Sequence, residues 1–82
     1  MNQNDILNGL ADILFEVAEV DPASVALDST LDGDLDIDSL LMVEVTVAAE
    51  EKFGVVIADE DLSTFKTVGD LVRHISQQFA LA

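Results

Sequence analysis

Apolar residues recur at three- and four-residue spacing in three places along the chain, and a short capped segment before the last of them completes a prediction of four helices. The first is expected from about Asn4 to Val20, where Ile6, Leu7, Leu10, Ile13, Leu14 and Val17 form one stripe. Asn4 is the expected N-cap, Asp5 favours the first turn, and Gly9 weakens the helix slightly. Asp21-Pro22 is expected to end it, because the residue before a proline avoids helical angles. From Asp21 to Asp38 the helical period is lost, and a long loop is expected, with a short turn at Ala23 and Ser24. A structureless connection of that length is unusual in a compact domain. Val25, Leu27, Leu31, Leu35 and Ile37 are therefore read as anchors that pin it across the helices.

The helical pattern resumes from Ser39 to Phe53. Asp38 can cap it by accepting from a backbone N–H of the first turn, and Gly54 suits the left-handed position just past its end. Val55-Val56-Ile57 reads as extended, and Asp59 as the cap of a short third helix through Ser63. A fourth helix is expected from Thr67, where Thr67-Val68-Gly69-Asp70 resembles a capping box with Asp in place of Glu. Its stripe is Val68, Leu71, Val72, Ile75 and Phe79. The second helix has two stripes. Met42, Val45, Ala49 and Phe53 are assigned to the core. Leu40, Val43, Glu44, Val47 and Glu51 make an acid-edged apolar stripe that begins beside Ser39. It suits a partner helix or a basic-rimmed groove, or else it is covered by the long loop and the third helix.

Eighty-two residues, half of them apolar, predict one domain over 1–82 and argue against disorder. The only aromatic residues are four Phe, so the core must be built mainly from Leu, Val, Ile and Ala. The absence of Cys excludes disulfides, thiolate chemistry and Cys-based metal sites. No apolar run reaches the length of a membrane span and no signal segment is visible, so a cytoplasmic location is expected. The net charge of −14 changes the picture most. It argues against nucleic acid and against stable association with anionic membranes. From Asp28 to Asp61 there are eleven acids against Lys52 alone, which places −10 of the charge in 34 residues. Such a field steers basic partners toward the protein, or serves as a solubilising surface.

Few side chains here can do chemistry. A nucleophilic serine needs a base and an oxyanion hole. The one histidine, His74, lies in the last helix and is expected at the surface, and no Gly-x-Ser-x-Gly elbow exists. Catalysis is not expected. A calcium loop counted from Asp28 has Gly33 correctly sixth, but Ser39 stands in twelfth place where Glu is required, and no metal site is expected. Ser39 itself follows the alternating run Asp34-Leu35-Asp36-Ile37-Asp38. At the first helical position its hydroxyl faces outward beside unsatisfied N–H groups and the positive end of the helix dipole, where an attached phosphodiester would be favoured. Asp-Ser at a helix start is equally ordinary capping chemistry.

The whole chain resembles a bacterial acyl carrier protein. The residues that carry the resemblance are Asp34-Leu35-Asp36-Ile37-Asp38-Ser39-Leu40, Met42-Val43-Glu44, Glu50-Glu51-Lys52-Phe53-Gly54, Ile57-Ala58-Asp59-Glu60-Asp61-Leu62 and Lys66-Thr67-Val68-Gly69-Asp70. The wording around Ser39 looks most like carriers of dissociated, type II fatty-acid synthases from actinobacteria. The resemblance implies an all-α four-helix bundle with a long first loop and a short third helix. It implies that Ser39 receives 4′-phosphopantetheine from coenzyme A, through a separate carrier-protein synthase (a phosphopantetheinyl transferase). The arm's thiol would carry growing acyl chains as thioesters, so the missing cysteine arrives with the cofactor.

By the same resemblance, Asp38 and the acidic second helix meet basic patches on a ketosynthase, acyltransferase, ketoreductase, dehydratase and enoyl reductase, with the carrier as a monomer. Leu40, Val43, Glu44, Val47, Glu50 and Glu51 match recognition positions. Val45, Ala49, Ile57, Leu62, Val68 and Leu71 match interior positions where an acyl chain can shelter, and are otherwise simply core. Two residues depart from the pattern. Leu41 stands where a polar residue is usual, and exposed there it would widen the apolar contact. Ala58 stands where Pro is frequent. A carrier of a polyketide or other specialised pathway, and a small acidic helical adaptor, are the alternative readings.

Overall fold

A computed structural model describes residues 2–81, with side chains as far as Phe79. Helix α1 spans Gln3–Ala18. Asn2, not Asn4, caps it: its Oδ1 accepts from the Asp5 N–H at 2.9 Å. The helix also ends before Asp21-Pro22. Glu19 turns left-handed at φ 58°, and the Glu19 and Val20 N–H groups donate back to the carbonyls of Phe15 (3.0 Å) and Leu14 (3.2 Å). Pro22 instead opens a 3₁₀ turn, Pro22–Ser24, capped by Asp21. Proline suits that first position because the N–H it lacks would have no partner there.

Helix α2 spans Ser39–Phe53, with the Asp38 cap and left-handed Gly54 (φ 68°) where the sequence placed them. The short third helix is a 3₁₀ helix, Asp59–Thr64. Its cap position is Ala58, which makes no side-chain cap bond, so Asp59 lies inside the first turn with Glu60 and Asp61. All three acids face the positive end of that turn. The last helix, α3, spans Val68–Leu81. Its capping box is formed: the Thr67 N–H donates to Asp70 Oδ2 at 3.1 Å, and the Asp70 N–H donates to Thr67 Oγ1 at 3.3 Å.

The long loop is stitched to the start of α3. Thr30 and Thr67 form an isolated antiparallel bridge. The Leu31 N–H donates to the Lys66 carbonyl (2.9 Å), Val68 N–H to Ser29 (3.0 Å) and Gly69 N–H to Leu27 (2.8 Å). A Cβ at Gly69 would sit 2.8 Å from the Leu27 oxygen, so this approach requires glycine. Leu31, Leu35 and Ile37 are buried anchors and Val25 is half-buried. Leu27 is 44 % exposed, so its carbonyl rather than its side chain is what anchors it.

Helix α1 packs on both α2 and α3. Ile6, Leu10 and Leu14 of α1 meet Val45 and Ala49 of α2 and Val68, Leu71 and Ile75 of α3 in one closed core. Each Leu, Ile or Val buried this fully stabilises the fold by roughly 1.5–3 kcal/mol before entropy is counted. The fold is all-α. Among the described residues, no helix is long and apolar enough to cross a membrane.

Candidate functional site

The chain reaches α2 through residues that alternate between core and solvent. Leu35 and Ile37 are buried, while Asp34, Asp36 and Asp38 are exposed. Asp36 is left-handed at φ 55°, a conformation that Asp tolerates better than most residues. These anchors fix the N-terminus of α2 and leave Ser39 exposed as its first residue. The Asp38 carboxylate accepts from the Leu41 N–H at 2.9 Å, and the Asp38 carbonyl accepts from the Met42 N–H at 2.8 Å. Among the described residues, no hydrogen bond engages the Ser39 hydroxyl or the N–H groups of Ser39 and Leu40. A free hydroxyl therefore stands beside free donors at the positive end of a helix.

Two cavities of about 300 Å³ flank Ser39. One is largely apolar, with Met42, Val43 and Leu62 beside Ser39, Asp59 and Ser63. The other adds Leu31, Asp32, Ile37, Asp38, Phe65 and Lys66. The 3₁₀ helix supplies the far wall of both through Leu62 and Ser63. Met42 borders both, although its stripe alone points only to the core. Its place three residues after Ser39, on the same helical face, was the available signal.

On α2, Leu40 (70 % exposed), Val43 (44 %) and Val47 (48 %) form an open apolar stripe with exposed Glu44 and Glu51 at its side. Two residues grouped with them behave differently. Leu41 is half-buried and lies in a groove with Ala18, Val20 and Leu35, so it does not widen the exposed stripe as expected. Glu50 is half-buried, and its carboxylate accepts from the Ile57 N–H. Of the six positions considered for an acyl chain, Val45, Ala49, Val68 and Leu71 are completely enclosed and Ile57 is buried. Only half-buried Leu62 borders the cavities at Ser39.

His74 is not the surface residue expected. It is half-buried, edge-on to Phe65 with 5.4 Å between ring centroids. In the acidic loop, the Asp34 carboxylate accepts from the Thr30 N–H and the Asp34 N–H donates to Thr30 Oγ1, both at 2.9 Å. Among the described residues, no group of three or more His, Asp or Glu side chains is placed to hold a metal. One carboxylate is held below the usual range: Asp70, by the Lys66 and Thr67 N–H groups that donate to it and by the Arg73 charge.

Comparison with known proteins decides what this site belongs to. The family model described as the phosphopantetheine attachment site matches residues 8–75. The chain is 50 % identical over 76 residues to the acyl carrier protein of Acidothermus cellulolyticus, covering 93 % of this chain and 90 % of that one. The chain belongs to the acyl carrier protein family. It is 47 % identical over 76 residues to the acyl carrier protein of Thermobifida fusca, covering 93 % of this chain and 96 % of that one. It is 48 % identical over 75 residues to the meromycolate extension acyl carrier protein of Mycolicibacterium smegmatis, covering 92 % of this chain and 76 % of that one. As a member of this family it is a carrier and not a catalyst, with phosphopantetheine as its cofactor. That role implies a phosphopantetheinyl transferase and fatty-acid enzymes as partners. The residues around Ser39 fit the group. An exposed hydroxyl, unpartnered among the described residues, opens onto two cavities, and one of these is largely apolar.

Proposed function

We propose that Ser39 is the attachment residue, and that this single carrier domain presents growing acyl chains to the enzymes of fatty-acid synthesis. The reading rests on the exposed Ser39 hydroxyl at the first turn of α2, within the stretch matched by the attachment-site family. Ser39 Oγ attacks the coenzyme A phosphorus that bears pantetheine. Its proton passes to a base of the transferase, and 3′,5′-ADP leaves. When bound, the arm supplies the thiol that this cysteine-free chain lacks. Asp38 holds the helix start by capping it, which keeps the Ser39 hydroxyl outside the core.

The stripe Leu40, Val43, Glu44, Val47 and Glu51 serves as the docking face, with apolar contact at its centre and acids for basic patches on a ketosynthase, acyltransferase, ketoreductase, dehydratase and enoyl reductase. Glu50 and Leu41 contribute at its edge, by shaping α2 and its junction with α1. The carrier acts as a monomer in the cytoplasm. An acyl chain enters beside Leu62 and Met42. Deeper shelter among Val45, Ala49, Ile57, Val68 and Leu71 requires the helices to part, because those side chains are closed off. Several relatives named as meromycolate extension carriers favour a second reading, extension of long chains in a specialised pathway.

Intact-mass spectrometry tests the assignment. Incubation with coenzyme A, magnesium and a phosphopantetheinyl transferase adds roughly 340 Da, one phosphopantetheine. Ser39→Ala adds nothing while keeping its helical circular dichroism. A variant that is still modified refutes the assignment.

A further inference from the structure

We propose that Lys66 is the side chain that holds the phosphodiester joined to Ser39, an inference that rests on Ser39 being the attachment residue. The chain has only three Lys and Arg residues. Lys52 pairs with Asp12 at 3.7 Å and Arg73 with Asp70 at 3.1 Å. Lys66 has no carboxylate within 4.0 Å of its ammonium among the described residues. It also borders one of the cavities that contain Ser39, and among the described residues it is the only cation there.

Its backbone is fixed on both sides. The Lys66 N–H donates to Asp70 Oδ2 at 2.9 Å, and its carbonyl accepts from the Leu31 N–H at 2.9 Å. An exposed, flexible side chain therefore starts from a fixed point on the cavity rim. The competing anions on that rim are Asp32 and Asp38, and Asp38 already accepts from the Leu41 N–H. A phosphodiester on Ser39 adds negative charge beside Asp38, in a chain already at −14. Lys66 offsets that charge as a mobile ammonium. It biases the first atoms of the arm along the cavity toward the 3₁₀ helix instead of straight into solvent.

Phosphorus NMR of the modified protein tests this, with Lys66→Gln, Lys66→Arg and Lys52→Gln compared with the parent. The phosphodiester line is expected to move by more than its width in Lys66→Gln and to stay at the parent position in Lys66→Arg and Lys52→Gln. Salt at ~1 M, where the screening length is about 3 Å, is expected to bring the parent line toward that of Lys66→Gln. A Lys66→Gln line that coincides with the parent's overturns the role of Lys66 and leaves Ser39 untouched, as does an Arg variant that behaves like Gln. A parent protein that gains no phosphopantetheine mass overturns both readings, so the two failures are distinct.

Discussion

Glu50 Oε2 accepts a hydrogen bond from the Ile57 N–H at 3.2 Å, across the turn that ends α2. A side chain that sequence places on the docking face thus holds the following segment against the helix. Glu51, next to it, is exposed and makes no such bond among the described residues. Glu50→Ala is therefore expected to lower stability by roughly 1.5–3 kcal/mol, the range for losing a bond to a charged acceptor. Glu50→Gln keeps an acceptor and should lose less. Glu51→Ala should leave the urea midpoint within error and weaken binding to a basic partner. Equal stability losses for the two alanine variants would remove the distinction.

Asp70 links acidity to the start of α3. Two backbone N–H groups and Arg73 hold its carboxyl below the usual range. A carboxylate with a lowered native pKa stabilises fully above its unfolded value, about 3.9, and loses that contribution as pH falls through the native value. Asp70→Ala should cost about 0.5–2 kcal/mol near neutral pH, as other lost caps do. Urea titrations from about pH 6 to pH 2 should show this gap narrowing below about pH 4. A gap that widens with acid contradicts the assignment.

Ala58 already has the backbone angles of proline, φ −73° and ψ 146°. Its N–H has no hydrogen-bond partner among the described residues, so a proline ring would break nothing there. Ala58→Pro should raise stability by about 0.4–1 kcal/mol by restricting the unfolded chain. Chemical unfolding of both proteins checks this, and a lower midpoint for the proline form would show hidden strain at the entry to the 3₁₀ helix.

Much of the site was legible because single residues set it. Asp38 caps α2 and Gly54 ends it through chemistry local to each position. The limits of α1 were less legible. Asn2 and Asn4 are chemically equal caps, and nothing about Glu19 announces a left-handed residue. The bridge between Thr30 and Thr67, with Gly69 pressed on the Leu27 carbonyl, joins segments far apart in sequence, so helical period could not reveal it. Period also gives the direction of a side chain but not what lies over it. Hence period alone groups Leu41 and Glu50 with an open face, although the end of α1 and the Ile57 backbone engage them.

The most direct test is to locate the added group by fragmentation mass spectrometry after treatment with transferase and coenzyme A. Besides Ser39, the chain offers Ser24, Ser29, Ser63 and Ser76. A gain of roughly 340 Da confined to the fragment holding Ser39 is the predicted result. The same mass on any other serine, or no added mass with a competent transferase, would contradict the account.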